Sequence, residues 1–464
     1  MSRLKSKHIH FVGIGGAGLS AIARVLLEQG ARVSGSDLEL SPVAQALARD
    51  GADVFEGHDA GNVNGVDVVV ASSAVPDDNV EVQAARAAGV PLLRRPAFLR
   101  HMMKHKRGVA VAGTHGKTTT TAMISTILME AKLDPTFIVG GVLVDLKTNA
   151  RAGAGPLFVI EADEYERTFL SLDPYVAVIT NVEHDHPDCY PTLEDCQAAF
   201  ESFAALVPEE GLLAVCEDDP VARAIGRRRE RDTSVRSFGL EESAAWRAEE
   251  VRPNFAGGID FLAAHEGETL GLVRLRVPGA HNASNAMAAL ATTDFLGISF
   301  PVAREALRGF RGVARRFEVK GEDGGVVVID DYAHHPTEIR ATLRAAKERF
   351  SDRRIWAVWQ PHTYSRTREL LEGFAVAFVD ADRVIVLPIY AAREIDSLGV
   401  TADSVAEAMD HADVRASVSL EQAVEFLARA VRPGDVVLTL GAGDGYVVGE
   451  RLLAELGGRA DADD

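Results

Sequence analysis

Apolar positions in this chain gather into short unbroken runs, each closed by glycine or by a charged cluster. Residues 8–12, Val66–Ala71, Val90–Leu93, Val109–Ala112, Pro156–Ile160, Tyr175–Thr180, Val326–Ile329, Ile355–Trp359, Val384–Leu387 and Asp435–Leu440 are of this kind. Runs of this length, rich in Val and Ile, predict strands buried on both faces, as in parallel sheets. Between them lie segments of helical period: from the first glycine loop to about Gln29, Asn79–Ala88, Lys117 through Leu128, and onward from Glu338. Strand and helix in alternation predict an α/β chain of doubly wound, Rossmann-like units with parallel sheets. Residues 207–277 break the pattern. Gly271–Val277 alternates polar with apolar, which predicts an antiparallel section. At 464 residues the chain exceeds one core. Three regions are predicted: 1–105, 106–311 and 312–464. Arg94-Arg95-Pro96 reads as the run-out of the first, and the acidic tail Gly457–Asp464 is expected to fray.

The strand at Val109–Ala112 delivers Gly113-Thr114-His115-Gly116, then Lys117, Thr118 and Thr119 at the start of a helix. Such glycines let backbone N–H groups turn inward, the helix N-terminus adds positive potential, and lysine adds a mobile charge. A threonine hydroxyl in this position can ligate Mg²⁺. This is the short Gly-x-x-Gly-Lys-Thr form; position 111, glycine in the longer P-loop pattern, is valine. It predicts a cradle for ATP phosphates. A second loop, Gly13-Ile14-Gly15-Gly16-Ala17-Gly18, follows residues 8–12, and Asp37 ends the next strand. That is Gly-x-Gly-x-x-Gly with an acid about 20 residues on. Alone it predicts an NAD-dependent oxidoreductase, yet any diphosphate can rest on such a helix start. Both readings stand at this point.

Net charge is −19, from 68 acidic and 49 basic residues. This argues against a nonspecific nucleic-acid or anionic-membrane binder. Cys189, Cys196 and Cys216 match no metal or redox spacing and suit a reducing compartment. No apolar stretch approaches membrane-spanning length and no signal peptide is recognisable, so a cytoplasmic location is expected.

Strand C-termini of a parallel sheet share one edge, where ligands bind. The Lys117 loop, Glu161-Ala-Asp163-Glu164 and Asn181-Val-Glu183-His184-Asp185-His186 should therefore converge, with carboxylates suited to Mg²⁺. Glu161, at the strand end, is the strongest candidate. Glu164, Glu166 and Asp188 read as solvated loop residues, and spacing does not separate His184 from His186. His281-Asn282-Ala-Ser-Asn285 enters a small-residue helix; its amides could meet a base, or Asn282 could serve as N-cap. Asp330-Asp331-Tyr332-Ala-His334-His335 and Gln360-Pro-His362 with Arg366 supply groups for a charged substrate.

Taken in order, these stretches, with Arg315-Arg316-Phe317 and Gly441-Ala-Gly443, resemble the Mur ligases over essentially the whole chain. The resemblance implies three domains: one for a UDP-sugar, a central ATPase and a C-terminal domain that closes over an amino acid. It assigns Gly15, Gly16, Ala17, Gly18 and Asp37 to the UDP-sugar. It assigns Gly113, Thr114, His115, Gly116, Lys117, Thr118 and Thr119 to ATP, with Asn285 at adenine and Arg315 or, preferred, Arg316 at the phosphates. Thr118, Glu161 and His186 would hold magnesium, and Tyr332, His334 and Arg366 would meet the carboxylate and the amino acid.

The implied reaction joins L-alanine to the lactyl carboxylate of UDP-N-acetylmuramate through an acyl phosphate, for peptidoglycan precursors. Lys117 and His334 are the expected catalytic residues. His334 is the candidate for orienting or deprotonating the amine, because histidine titrates near working pH. Tyr165-Glu166 departs toward relatives that recycle a whole tripeptide, which is the alternative substrate. Thr363 stands where several relatives have arginine. Around Phe200–Phe203 there is no lysine, so no carbamoylated lysine is expected. A monomer or weak homodimer is expected.

Overall fold

A computed structural model describes residues 5–463; Met1–Leu4 and Asp464 lie outside the described residues. The strands form three sheets. The first contains β1 (His8–Val12), β2 (Arg32–Asp37), β3 (Asp53–Glu56), β4 (Val68–Ala71) and β5 (Leu92–Arg94), in the order β3-β2-β1-β4-β5, all parallel. Strand order reverses between β1 and β4, and the 13–18 loop leaves β1 at that switch point.

Arg95 does not begin a run-out. Arg95–Met103 is a helix with Pro96 in its first turn, where a missing N–H costs nothing. Its Phe98, Leu99, Met102 and Met103 are buried in one apolar cluster with Val109–Ala112 and Phe169. The first and central regions therefore share a continuous core. The charged pair Arg94-Arg95 hid a helix whose apolar face comes later.

The central sheet contains β6 (Arg107–Ala112), β7 (Thr136–Leu143), β8 (Thr148–Arg151), β9 (Leu157–Glu161), β10 (Pro174–Ile179), β11 (Leu212–Cys216), β12 (Ser234–Gly239), β13 (Trp246–Pro253), β14 (Ile259–His265) and β15 (Glu268–Leu275). Their order is β15-β14-β13-β12-β11-β10-β6-β9-β7-β8. Pairing is parallel from β13 to β7 and antiparallel in β13–β14–β15 and in β7–β8. The alternating stretch near 271–277 is thus β15. With β10 and β9 flanking β6, the ends of three adjacent strands deliver Thr180, Gly113 and Glu161 to one edge.

The third sheet contains β16 (Glu318–Asp323), β17 (Val326–Asp331), β18 (Ile355–Trp359), β19 (Arg383–Val386), β20 (Val414–Ala416) and β21 (Val436–Leu440), ordered β16-β17-β21-β18-β19-β20. Val327 and Ile329 pack in one apolar cluster, Val326 and Val328 in another. Both faces are covered, which is why β17 reads as an unbroken apolar run. Asp330 and Asp331 belong to the strand, buried, rather than to the loop after it. The helix Tyr446–Asp463 continues through the tail that was expected to fray. Ala314 N donates to Val142 O at 2.8 Å, tying the third region to β7.

Candidate active site

The 113–118 loop is shaped by its glycines and pinned by the end of β10. Gly116 has φ +81° and caps the helix Lys117–Glu130; a Cβ there would stand 2.6 Å from Asn285 Oδ1. Gly113 has φ +133°, and a side chain there would strike Thr180 Oγ1. His115 N donates to Asn181 Oδ1 at 2.8 Å, and Thr180 Oγ1 donates to His115 O at 2.5 Å. Lys117 Nζ donates to Gly113 O (2.6 Å), Thr114 O (3.1 Å) and Glu164 Oε1 (2.8 Å). Burial opposes the lysine's charge, but Glu164 and Glu161 outweigh it and raise its pKa.

Glu164 is not the solvated residue expected from its loop position. Its side chain is 3% exposed, and burial pushes it up to about 7. This carboxylate takes one of the three donors of Lys117, and the Gly113 and Thr114 carbonyls take the others. Thr118 Oγ1 donates to Glu161 Oε1 at 2.9 Å, and Glu161 Oε2 accepts from Gly140 N at 2.6 Å. This hydroxyl–carboxylate pair beside the loop is a hard-oxygen donor set of the kind Mg²⁺ prefers.

His186 has φ +57° and stands 5.0 Å from the Tyr165 ring. Its Nε2 lies 3.9 Å from Glu164 Oε1, and its Nδ1 lies 3.4 Å from Arg366 Nη2. Buried Arg366 also donates through Nε to Asp185 Oδ1 at 2.9 Å. Burial would raise Asp185, yet Arg366 overrides it and holds that carboxyl well below its usual range. The Glu164–Lys117 pair thus connects the 113–118 loop with the His186–Arg366 group. His184 turns elsewhere, its Nε2 within 2.8 Å of Tyr190 O.

His334 lies 3.0 Å (Nδ1) from Tyr332 O and 3.3 Å from Glu338 Oε2, with the Tyr332 ring edge-on at 5.4 Å. This environment differs from the free imidazole assumed from sequence. Burial pushes His334 down to about 3, so the ring is neutral, with Nδ1–H facing the Tyr332 carbonyl.

The central and third regions meet across His115. Its Nε2 is 3.3 Å from Glu183 Oε2 and its Nδ1 is 3.3 Å from Glu338 Oε1. Burial works against the charged ring, but the two carboxylates prevail and raise its pKa to about 9. Arg316 Nη1 donates to the same Glu338 at 3.4 Å. Arg315 instead turns to Asp330 and the Gly441 carbonyl, so of the two arginines Arg316 faces the cavity. That cavity, about 420 Å³, is lined by His115, Gly116, Thr118, Thr119, Asn285 and Arg316 among others. Asn282 is not the N-cap. Gly279 is, and Asn282 Nδ2 donates to Pro278 O from inside the helix Ala280–Phe295.

At the first loop, Gly13 has φ +87° and Gly15 N donates to Asp37 Oδ2 at 2.8 Å. Gly16 caps the helix Ala17–Glu28 without a capping side chain, its carbonyl accepting from Leu19 N and Ser20 N, so the helix start presents its positive end to the loop. A Cβ on Gly18 would lie 2.6 Å from Arg95 Nε, and Arg95 Nη1 is 3.9 Å from Asp163 Oδ2.

Three family models match in succession: "Mur ligase family, catalytic domain" over residues 8–107, "Mur ligase middle domain" over 111–293 and "Mur ligase, glutamate ligase domain" over 315–443. The chain belongs to the Mur ligase family. Among Mur ligases, it is 47% identical over 456 residues to the UDP-N-acetylmuramate–L-alanine ligase of Geobacter sp. (strain M21), covering 97% of this chain and 98% of that one. The crystal structure of the Thermotoga maritima UDP-N-acetylmuramate–alanine ligase superposes with a TM-score of 0.80 at 30% identity, covering 99% and 100% of the two chains. A murein peptide ligase from Psychrobacter arcticus gives 0.72 at 26% identity, covering 97% and 99%. As a Mur ligase, the chain puts its second glycine loop in the middle domain.

Sequence reasoning missed Glu164, Glu338 and Arg95 as parts of this Mur ligase site. Glu338 was readable as the third residue of a helix that starts at Pro336, a position from which it reaches back along the cap. The partners of Glu164 and Arg95 come from other elements and left no local signal.

Proposed function

We propose that the protein joins L-alanine to the lactyl carboxylate of UDP-N-acetylmuramate at the expense of ATP, in the cytoplasm, as a monomer or weak homodimer. The observation that carries this reading is the 47% identity, across 97% of the chain, with a ligase of that name. The site's chemistry agrees with it. The helix start at the end of the 13–18 loop offers its positive end to the diphosphate, with Asp37 holding the loop through Gly15 N.

ATP enters the cavity beside Asn285 and Arg316, its phosphates on Gly113–Thr119. Lys117 neutralises charge as the lactyl carboxylate attacks the γ-phosphorus; the acyl phosphate forms and ADP leaves. Thr118 and Glu161, with His186, would hold Mg²⁺, which supplies further neutralisation of the phosphate oxygens. Arg366 and Tyr332 position the carboxylates. His334 orients the amine or takes its proton; the deprotonated amine attacks the acyl carbon, phosphate leaves with the bonding electrons, and the second nitrogen proton is lost to solvent or phosphate. The nicotinamide reading of the first loop leaves this whole arrangement unused.

The test is an amino-acid panel with UDP-N-acetylmuramate, ATP and Mg²⁺, with free tripeptide as competitor. Alanine-dependent phosphate release is expected. Joining of the tripeptide alone overturns the assignment in favour of a recycling ligase.

A further inference from the structure

We propose that His115, Glu183 and His335 form a site for a borderline divalent ion of the zinc class, which clamps the third region onto the central one. Glu183 Oε2 is 3.3 Å from His115 Nε2 and 3.4 Å from His335 Nδ1, and one ligand atom from each residue lies within 4.8 Å of the others. With bonds of about 2.0–2.1 Å, a tetrahedral zinc has ligand–ligand edges of about 3.3 Å. Two of the edges already have that length. The donors, two imidazoles and one carboxylate, select zinc over the hard Mg²⁺ of the phosphate site.

The hydrogen bonds also point to an ion. His335 Nδ1 accepts from Thr337 N at 3.3 Å, so this nitrogen carries no proton, and a bound ion takes its lone pair in place of that long hydrogen bond. A second carboxylate, Glu338, waits at 3.3 Å on the other nitrogen of His115. Binding of the ion displaces the proton between Nε2 and Glu183, while Glu338 keeps Nδ1–H and so turns Nε2 toward the metal. Thr337 Oγ1 donates to Glu183 Oε2 at 2.8 Å, orienting the remaining ligand. His115 and Glu183 line the nucleotide cavity, which gives the ion an entry route and a water for its fourth position. Because His335 comes from the third region and the other two residues from the central one, a bound ion resists their separation. Zinc therefore inhibits turnover; this consequence rests on the ligase reading, whereas binding does not.

The experiment is titration of the full chain with Co²⁺ in excess Mg²⁺ and without nucleotide, followed by the visible absorption of four-coordinate cobalt. One ion per chain, displaced by zinc, is expected. His335→Asn keeps a helix N-cap acceptor but removes the imidazole. It should weaken binding by more than the about 10–100-fold lost with outer-shell partners, and Glu183→Gln should do likewise. Zinc should slow ligation by the wild type and leave H335N about tenfold less sensitive. Absence of the four-coordinate spectrum in the wild type, or its persistence in both variants, overturns the site. Binding without inhibition of an active ligase overturns the clamp.

Discussion

Two loops in this chain leave a parallel strand, turn on glycine and open a helix. In the 13–18 loop the helix is capped by Gly16 in extended backbone, and Asp37 holds Gly15. In the 113–118 loop the cap, Gly116, has φ +81°, and the helix opens on Lys117, which donates to a buried glutamate. The first is a backbone cradle with an arginine alongside. The second is a cradle with its own cation, its own carboxylates and a histidine clasped by the third region. A glycine pattern alone gives the turn; what faces the turn decides whether phosphate is held or transferred.

The sharpest way to break this contrast is Lys117→Ala. It should lower kcat for ATP-dependent ligation by about 10³-fold, the upper range for loss of one charge-stabilising donor. Binding of the UDP-sugar, measured by calorimetry, should be unchanged. Turnover at the wild-type rate removes the distinction between the loops. Next in size is a pH effect. His115 has a folded pKa of about 9 against an unfolded value of 6.5. A raised histidine contributes fully below about 6.5, and the contribution is lost as pH rises through about 9. Thermal stability should fall between pH 7 and 9 in the wild type, and the fall should shrink in E338Q. An equal fall in both proteins would detach the phosphate loop from Glu338.

The strand runs and both loops were readable because buried parallel strands and glycine turns are local features. Glu164 was not. It follows the strand end by three residues and looks solvated, but Lys117 of the loop and Tyr190 of a later segment enclose it. Arg95 looked like a domain end because its helix shows its apolar residues only from Phe98. β7 carries Gly140 and Gly141, poor strand residues, and Gly140 is glycine because Glu161 Oε2 would stand 2.5 Å from a Cβ. In each case the deciding neighbour is distant in sequence, so pattern could not supply it.

Substituting glycine in each loop sharpens the comparison. Gly116→Ala forces a side chain into left-handed backbone and against Asn285, which is itself held by Asn282 and by Thr120. A strain of about 1–2 kcal/mol corresponds to roughly 5–30-fold, expected in the KM for ATP and not in that for the UDP-sugar. Gly18→Ala should act oppositely and more mildly. That position carries no backbone strain, and the neighbour its Cβ meets is the movable end of Arg95. The UDP-sugar KM should rise a few-fold with the ATP KM unmoved; a change in the ATP KM alone would put the nucleotide on the wrong loop.

Asp37→Asn isolates the smallest difference. Asp37 reaches the loop through one charge-assisted hydrogen bond, from Gly15 N, while its other oxygen accepts from Leu38 N at 2.9 Å. Asparagine keeps an acceptor but not the charge, so about 1 kcal/mol, roughly fivefold, is expected in UDP-sugar affinity. Had Asp37 met a ribose hydroxyl as in a dinucleotide site, the same change would also confer or abolish nicotinamide binding, which fluorescence quenching would reveal. An unchanged UDP-sugar affinity would mean that the glycines hold the loop without Asp37. The first loop would then differ from the second more completely: a cradle made of backbone alone, against one whose lysine, threonine and histidine each answer to a carboxylate.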